Sequence, residues 1–301
     1  MYPVIRLKAK GKLTANGQWL MVVKVMEYNK YTYETQKINL DGVVNARQMG
    51  GYVMQDGRKI RDNVLLRGGF LQNATDSDIR RLSEDFHVAF VFDFRTKGEV
   101  DHAPDRLVPG SQYLWLPTID EKTEKLGEGC LPREAYRNLE KYLLEHAGDQ
   151  SVKDTARTMY PSYVRNEYTQ LQYAAFLQKI IDTPEGAFYW HCSQGKDRTG
   201  LGAAYLLSAL GADREMILRD FAITNECYKD LIDRMKSQVE SLGGGEEEKR
   251  VIQTFIGVDI DYFNDALEVI EHEYGGMQKF LRNELCLSDD DILTLQNRLL
   301  V

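Results

Sequence analysis

Residues 187–210 read AFYWHCSQGKDRTGLGAAYLLSAL, a polar decamer set between two uncharged apolar runs. No other stretch constrains the fold so tightly. AFYW is apolar at consecutive positions, the pattern of a strand buried on both faces. Leu201–Leu210 is apolar on every side, which marks a buried helix. HCSQGKDRTG between them must therefore be a tight strand-loop-helix turn. A chain with that unit inside it is committed to a sheet covered by helices.

The remainder fits the same plan. VAFVFDF (88–94) is another continuous apolar strand, QYLWLP (112–117) a shorter one, and DNVLLR a third. A helix is expected over Thr75–Phe86, opened by a Thr-x-x-Asp capping box. Further helices are expected over Arg133–Ala147, over Tyr163–Asp182 and over nearly everything after Thr199, the last one capped by Ser288-x-x-Asp291. Strands separated by helices imply an α/β fold, with a central mostly parallel sheet flanked by helices. That domain is expected over residues 41–301. Residues 1–40 read as an N-terminal β extension: Asn16-Gly17 is a hairpin signal before WLMVVKVMEY, and YTYETQKI follows across Asn29-Lys30. SLGGGEEEKR (241–250) reads as a flexible linker between two helices.

Composition excludes several classes of function. The 301 residues carry a net charge of −8, which argues against a nucleic-acid partner. A local pocket on an acidic protein can still be positive, so an anionic substrate stays admissible. No stretch approaches the roughly 20 apolar residues of a membrane helix. The N-terminus lacks the apolar core of a leader, so a cytoplasmic location is expected, or a secreted one after processing. Cys130, Cys192, Cys227 and Cys286 form no CxxC pair and fit no zinc template. Free thiols are expected, with no metal and no cofactor.

The decamer itself carries chemistry. Gly195 allows a positive φ and a curl of the chain. Amides converging at a helix N-terminus make an anion site, formed here by Ser193, Gln194, Gly195 and Lys196. The same amides depress the pKa of Cys192, giving a thiolate at the floor of the cup. Arg198 closes it with a planar fork suited to two phosphate oxygens. A thiolate beneath a phosphate can attack phosphorus and form a phospho-cysteine. Thr199 can hydrogen-bond the sulfur and ease its departure. Other readings of these residues fit less well. A Walker loop requires Ser or Thr after the lysine, where Asp197 stands. A Cys-His dyad fails because His191 and Cys192, as strand neighbours, point to opposite faces; His191 is expected to bond backbone and steady the loop. Sulfur-transfer enzymes also cup a cysteine in amides, but usually lack the Lys-Asp-Arg-Thr continuation. A merely buried cysteine leaves Lys196, Asp197 and Arg198 without a role. Two carboxylates could serve as general acid: Asp197 inside the loop, and Asp120 beyond the strand end LWLPTID. Asp93 and Arg95 read as an ion pair bracing the loop from the neighbouring strand end.

Cys-x5-Arg is the signature of the cysteine-dependent protein tyrosine phosphatases, and HCSQGKDRTG resembles the form found in bacterial tyrosine/lipid phosphatases. NARQMGGY (45–52) resembles that family's N-x-R-D-x-G-G element. LLRGGFL resembles its strand end, FDFRTKGEV its D-L-R-S-x-x-E strand, and EYGGMQKFL is similar too. The resemblance covers about Asp41 to Val301. Gln48 replaces the usual Asp and Phe94 the usual Leu, outside the thiolate loop. The resemblance implies phosphomonoester hydrolysis with Asp197 as the acid. Implied substrates are phosphotyrosine proteins, with phosphoserine/threonine or phosphoinositides besides. Lys196 is an extra cation of the kind that enzymes acting on inositol lipids carry. The helical stretch from Arg133 to Tyr168 is a candidate lid, its alternative an ordinary packed helix pair. An inositol-phosphate phosphatase is the enzyme alternative. A non-catalytic phosphate-binding module is the other, and it would have no need of the nucleophile.

Overall fold

The computed structural model describes residue 28 and residues 30–120, 131, 135 and 138–301. Five strands form one sheet: β1 (Arg47–Gln48), β2 (Leu65–Gly68), β3 (Val88–Asp93), β4 (Gln112–Trp115) and β5 (Ala187–His191). Their order is β1-β2-β5-β3-β4. β1 is antiparallel to β2, and every other pairing is parallel. The expected α/β architecture is what is found.

Burial explains why β5 lies at the centre, since all five of its residues are buried. Phe188, Trp190 and then Cys192 face the larger core, where Trp190 meets Phe176 at 5.6 Å between ring centroids. Ala187 and Tyr189 face a second cluster with Leu66, Val88 and Val91. The register aligns Gly68, His191, Asp93 and Trp115 in one row at the carboxyl ends of the parallel strands. Ligands bind along such an edge in open α/β sheets.

The helices are α1 (Tyr33–Gln36), α2 (Asp76–Arg80), α3 (Lys97–His102), α4 (Leu139–His146), α5 (Gln150–Arg165) and α6 (Glu167–Asp182). They continue with α7 (Asp197–Leu210), α8 (Arg214–Cys227), α9 (Lys229–Ser241), α10 (Glu246–Ile256), α11 (Ile260–Glu273), α12 (Met277–Asn283) and α13 (Asp289–Leu299). The capping boxes at Thr75 and Ser288 both form. After α2 the chain widens into a π-helical turn, Arg81–Asp85, before β3. Every residue of α7 from Thr199 to Leu210 is buried, and Gly211 ends the helix in the left-handed region at φ +92°. Among the described residues no helix is long and apolar enough to cross a membrane.

Two local expectations need correction. YTYETQKI is not a strand: Thr32 caps a single helical turn, α1, and Tyr33 N donates to Glu226 at 2.7 Å. Only Lys37 bridges to Arg47. The cap and a tertiary acceptor outweigh the β propensity of the tyrosines. Asn16-Gly17 and its following run lie outside the described residues. Helix is present over Gln150–Arg165, inside the stretch from Arg133 to Tyr168 expected to be helical. α5 contains Pro161, a residue that ordinarily stops a helix. Its apolar side at Val152, Ala156, Met159, Tyr160, Tyr163 and Val164 is buried, and α5 packs on α10 and α11. Finally, the linker is only the turn Leu242–Gly245, because Glu246 already begins α10 under a Gly245–Glu248 contact of 2.8 Å.

Candidate active site

The loop after β5 is shaped from behind. Asn45 Nδ2 donates to Gly195 O at 2.8 Å, and Arg67 Nη2 donates to Gly195 O at 3.0 Å and Lys196 O at 3.3 Å. Tyr228 donates to Gln194 O at 3.1 Å, and Tyr173 to Arg198 O at 2.7 Å. These bonds engage the loop carbonyls and leave the backbone amides of Ser193–Arg198 uncommitted. Among the described residues no acceptor takes them up. Gly195 has φ +67°, and a Cβ there would lie 2.2 Å from the carbonyl carbon of Gly68. Only glycine fits at 195, where the Gly68–Gly69 backbone presses against the loop.

Cys192 sits at the floor, 2% exposed. Burial pushes its thiol up and Asp197 adds to that, yet Arg198 and the Thr199 hydrogen bonds prevail and hold it below the ordinary thiol value. The Thr199 hydroxyl is buried without a full hydrogen bond among the described residues, and its approach to the sulfur helps to lower the thiol.

Arg198 is gripped end-on by Glu99. Nη1 meets Oε2 and Nη2 meets Oε1, each at 2.7 Å. The Nε edge of the guanidinium is left for a bidentate phosphate. Burial opposes the Glu99 charge, but Arg198 and Ser193 overcome it and hold this carboxyl at about 2. Glu99 is therefore fixed as an anion and cannot serve as a proton donor. Thr96 caps α3 and bonds Glu99 through the capping box, which sets the carboxylate beside the loop.

Asp197 opens α7 with its carboxylate 2.7 Å from the Tyr160 hydroxyl, which donates to Oδ1. Oδ2 lies 3.8 Å from Lys196 Nζ. Lys196 is itself buried, and its ammonium donates to Phe255 O and, at 3.0 Å, to Gly257 O at the end of α10. Burial lowers its pKa. The side chain expected to reach a second phosphate is thus turned into the fold.

The neighbouring strand ends form the expected brace. Arg95 pairs with Asp93 through Nη2–Oδ2 at 2.7 Å and with Asp105 at 2.9 Å. His191 Nδ1 contacts Cys192 O at 3.1 Å, and Nε2 lies 3.0 Å from Asp105. Burial works against the imidazolium, but Asp93 and Asp105 outweigh it and raise the His191 pKa. Asp93, Asp105 and His191 have the spacing of metal ligands, yet the Arg95 guanidinium already contacts both carboxylates. Asp120 ends the described loop after β4, where burial, and then the Asp120 charge, raise the Tyr168 hydroxyl.

Glu99, Tyr160, Asn45, Arg67 and Asp105 were not singled out from the sequence. Glu99, Asn45 and Arg67 lie within the motifs FDFRTKGEV, NARQMGGY and LLRGGFL, so their positions carried a signal although their partners did not. Tyr160 and Asp105 carried none.

A sequence profile of the tyrosine phosphatase family matches residues 38–301. The triple specificity protein phosphatase PtpB of Mycobacterium tuberculosis is 26% identical over 270 residues, covering 81% of this chain and 92% of its own. A tyrosine-protein phosphatase of Nostoc commune is 24% identical over 240 residues, 79% of this chain and 74% of its own. A Cupriavidus necator relative is 26% identical over 250 residues, 81% of this chain and 82% of its own.

Proposed function

The chain belongs to the tyrosine phosphatase family, and from that premise we propose that it hydrolyses protein phosphotyrosine through a phospho-Cys192 intermediate. It is a phosphoric monoester hydrolase. The single observation that carries the mechanism is Cys192, held below the ordinary thiol range under a ring of unclaimed amides.

The reaction follows from the placement of the groups. The substrate phosphate lies on the amides of 193–198 and on the free edge of Arg198, which neutralise the charge of the transferring phosphoryl. Cys192 Sγ attacks phosphorus as the bond to the tyrosyl oxygen breaks, and Asp197 delivers its proton to that oxygen. The resulting Asp197 carboxylate then takes a proton from water, whose oxygen attacks phosphorus. The P–S bond breaks, inorganic phosphate leaves, and the thiolate returns under the Thr199 hydroxyl. Arg95, Asp93, Asp105 and His191 hold the strand ends that carry the loop.

Phosphotyrosine is favoured over phosphoinositides because the lipid reading drew on Lys196, and that ammonium is bonded to Phe255 and Gly257. A phosphotyrosine peptide should exceed inositol polyphosphates in kcat/KM by about tenfold or more, equivalent to about 1.4 kcal/mol in the transition state. The reverse order would overturn the substrate assignment. Cys192→Ser should abolish turnover while phosphopeptide binding survives, and turnover retained in that variant would overturn the covalent route.

A further inference from the structure

Behind the phosphate loop lie two arginines that the chemistry above does not use. Arg47 and Arg67 are each 0% exposed, and both turn to the one carboxylate of Asp220, itself 1% exposed. Arg67 Nη1 reaches Oδ2 at 2.5 Å, while Arg47 Nε approaches Oδ1 at 3.5 Å without hydrogen-bond geometry. Oδ1 accepts instead from Tyr52, a neutral donor, at 3.1 Å. Arg67 Nε has no partner among the described residues. Buried guanidiniums ordinarily come paired, and here one positive charge is left over.

The same surplus appears around the loop. Arg47, Arg67, Lys196 and Arg198 supply four cations, whereas Asp220, Glu99 and Asp197, even if all are ionised, supply three anions. The Cys192 thiolate is the fourth. The strand-end brace adds Arg95 and His191 against Asp93 and Asp105, which cancel with the imidazole protonated, the form that the two carboxylates favour. Burial and the neighbouring Arg47 pull the Arg67 pKa down to about 10, and the Cys192 charge works in the opposite direction. The other groups facing Cys192 are Tyr173, Tyr189 and Tyr228, phenols raised well above their usual range by burial and so neutral.

We propose that the Arg47–Asp220–Arg67 cluster is a positioning and electrostatic backing for the phosphate loop. Its surplus positive charge favours an anion at Cys192 and a phosphate above it. Arg67 acts directly, by drawing the Gly195 and Lys196 carbonyls backward so that the amides face the ligand. Arg47 acts through Asn45, since its Nη1 donates to Asn45 Oδ1 at 2.5 Å and Asn45 in turn holds Gly195. The inference rests on the reading of Cys192 as the nucleophile.

The test is the pH dependence of Cys192 alkylation by iodoacetamide, alongside inhibition by inorganic phosphate. Arg67→Met and Arg47→Met should each move the alkylation midpoint to higher pH and weaken phosphate inhibition by about tenfold, the effect of about 1.4 kcal/mol. Asp220→Asn should move the midpoint to lower pH, because it enlarges the surplus. That opposite sign separates a field effect from general damage to the loop. Circular dichroism confirms that each variant is folded, and if Arg67→Met fails to fold, the other two carry the same test. An unchanged midpoint in a folded arginine variant would overturn the inference, as would an upward shift in Asp220→Asn. Turnover retained in Cys192→Ser would instead overturn the nucleophile itself, so the two failures are distinguishable.

Discussion

Tyr160, from the middle of α5, donates its hydroxyl to Asp197 Oδ1 at 2.7 Å and so determines which carboxylate oxygen is free to carry a proton. Its ring packs edge-on against the stacked pair Phe221–Phe263, at 5.6 and 5.5 Å between centroids. Burial and the Asp197 charge raise its pKa well above the phenol range, so it stays a donor at any working pH. Oδ1 is thereby occupied, so in the proposed mechanism the proton passes through Oδ2, on the side of Lys196.

Tyr160→Phe keeps the packing and removes only this donor. A hydrogen bond to a charged group is worth about 1.5–3 kcal/mol, so aryl phosphates with poor leaving groups should slow by about tenfold or more. Substrates with good leaving groups should slow much less, since they need no protonation. Losing a donor favours the protonated carboxyl, so the alkaline limb of the rate profile should move to higher pH. Equal losses on both kinds of leaving group, with the limb unmoved, would remove Tyr160 from the proton transfer.

Glu99→Gln should separate the placement of Arg198 from its charge. The variant loses the end-on pair, Arg198 no longer presents a fixed Nε edge, and kcat/KM should fall by about tenfold to a hundredfold. Stability gives a second measure. The Glu99 carboxyl is held at about 2 in the folded protein, below its ordinary value of 4.5. Its contribution is therefore complete above pH 4.5 and is lost as pH falls through the folded value. The difference in Tm between wild type and Glu99→Gln should shrink as pH is lowered from 4.5 toward 2. A constant difference would mean that the ion pair contributes nothing to folding.

What the sequence disclosed and what it hid divide along a physical line. The strands AFYWH and VAFVFD were legible because both of their faces are buried, which makes them apolar at successive positions. The thiolate loop was legible because Cys192, Gly195 and Arg198 act through local geometry. Tyr160 was not, since it meets Asp197 across 37 residues and looks like any core tyrosine. The Arg198–Glu99 pair spans 99 residues and was equally silent. The direction of Lys196 misled for the same reason, because its acceptors belong to a helix end some 60 residues on.

Gly195→Ala tests whether the loop must curl as it does. An alanine would have to adopt φ +67° and place its Cβ 2.2 Å from the Gly68 carbonyl carbon, a backbone atom that cannot swing aside. Left-handed strain alone costs of order 1–3 kcal/mol, and the clash adds to it. The loop should relax by turning its amides outward. Inhibition by inorganic phosphate should then weaken by about tenfold or more, and Cys192 should alkylate at higher pH. A variant with wild-type phosphate inhibition would show that the amide ring is not what binds the anion.

Lys196→Ala separates a structural lysine from a substrate-binding one. In the fold its ammonium joins the phosphate loop to the end of α10 through Phe255 O and Gly257 O. Removing it leaves two carbonyls without a charged donor, a cost of about 1–3 kcal/mol, and Tm should fall. Asp197 also loses the cation 3.8 Å from Oδ2, so turnover should drop. The drop should be the same factor on a simple aryl phosphate and on a polyphosphorylated inositide, because neither substrate touches the ammonium. The comparison belongs at matched ionic strength, since the inositide carries more charge than the aryl phosphate. A loss confined to the inositide, with Tm unchanged, would mean that Lys196 leaves its carbonyls to meet a second phosphate.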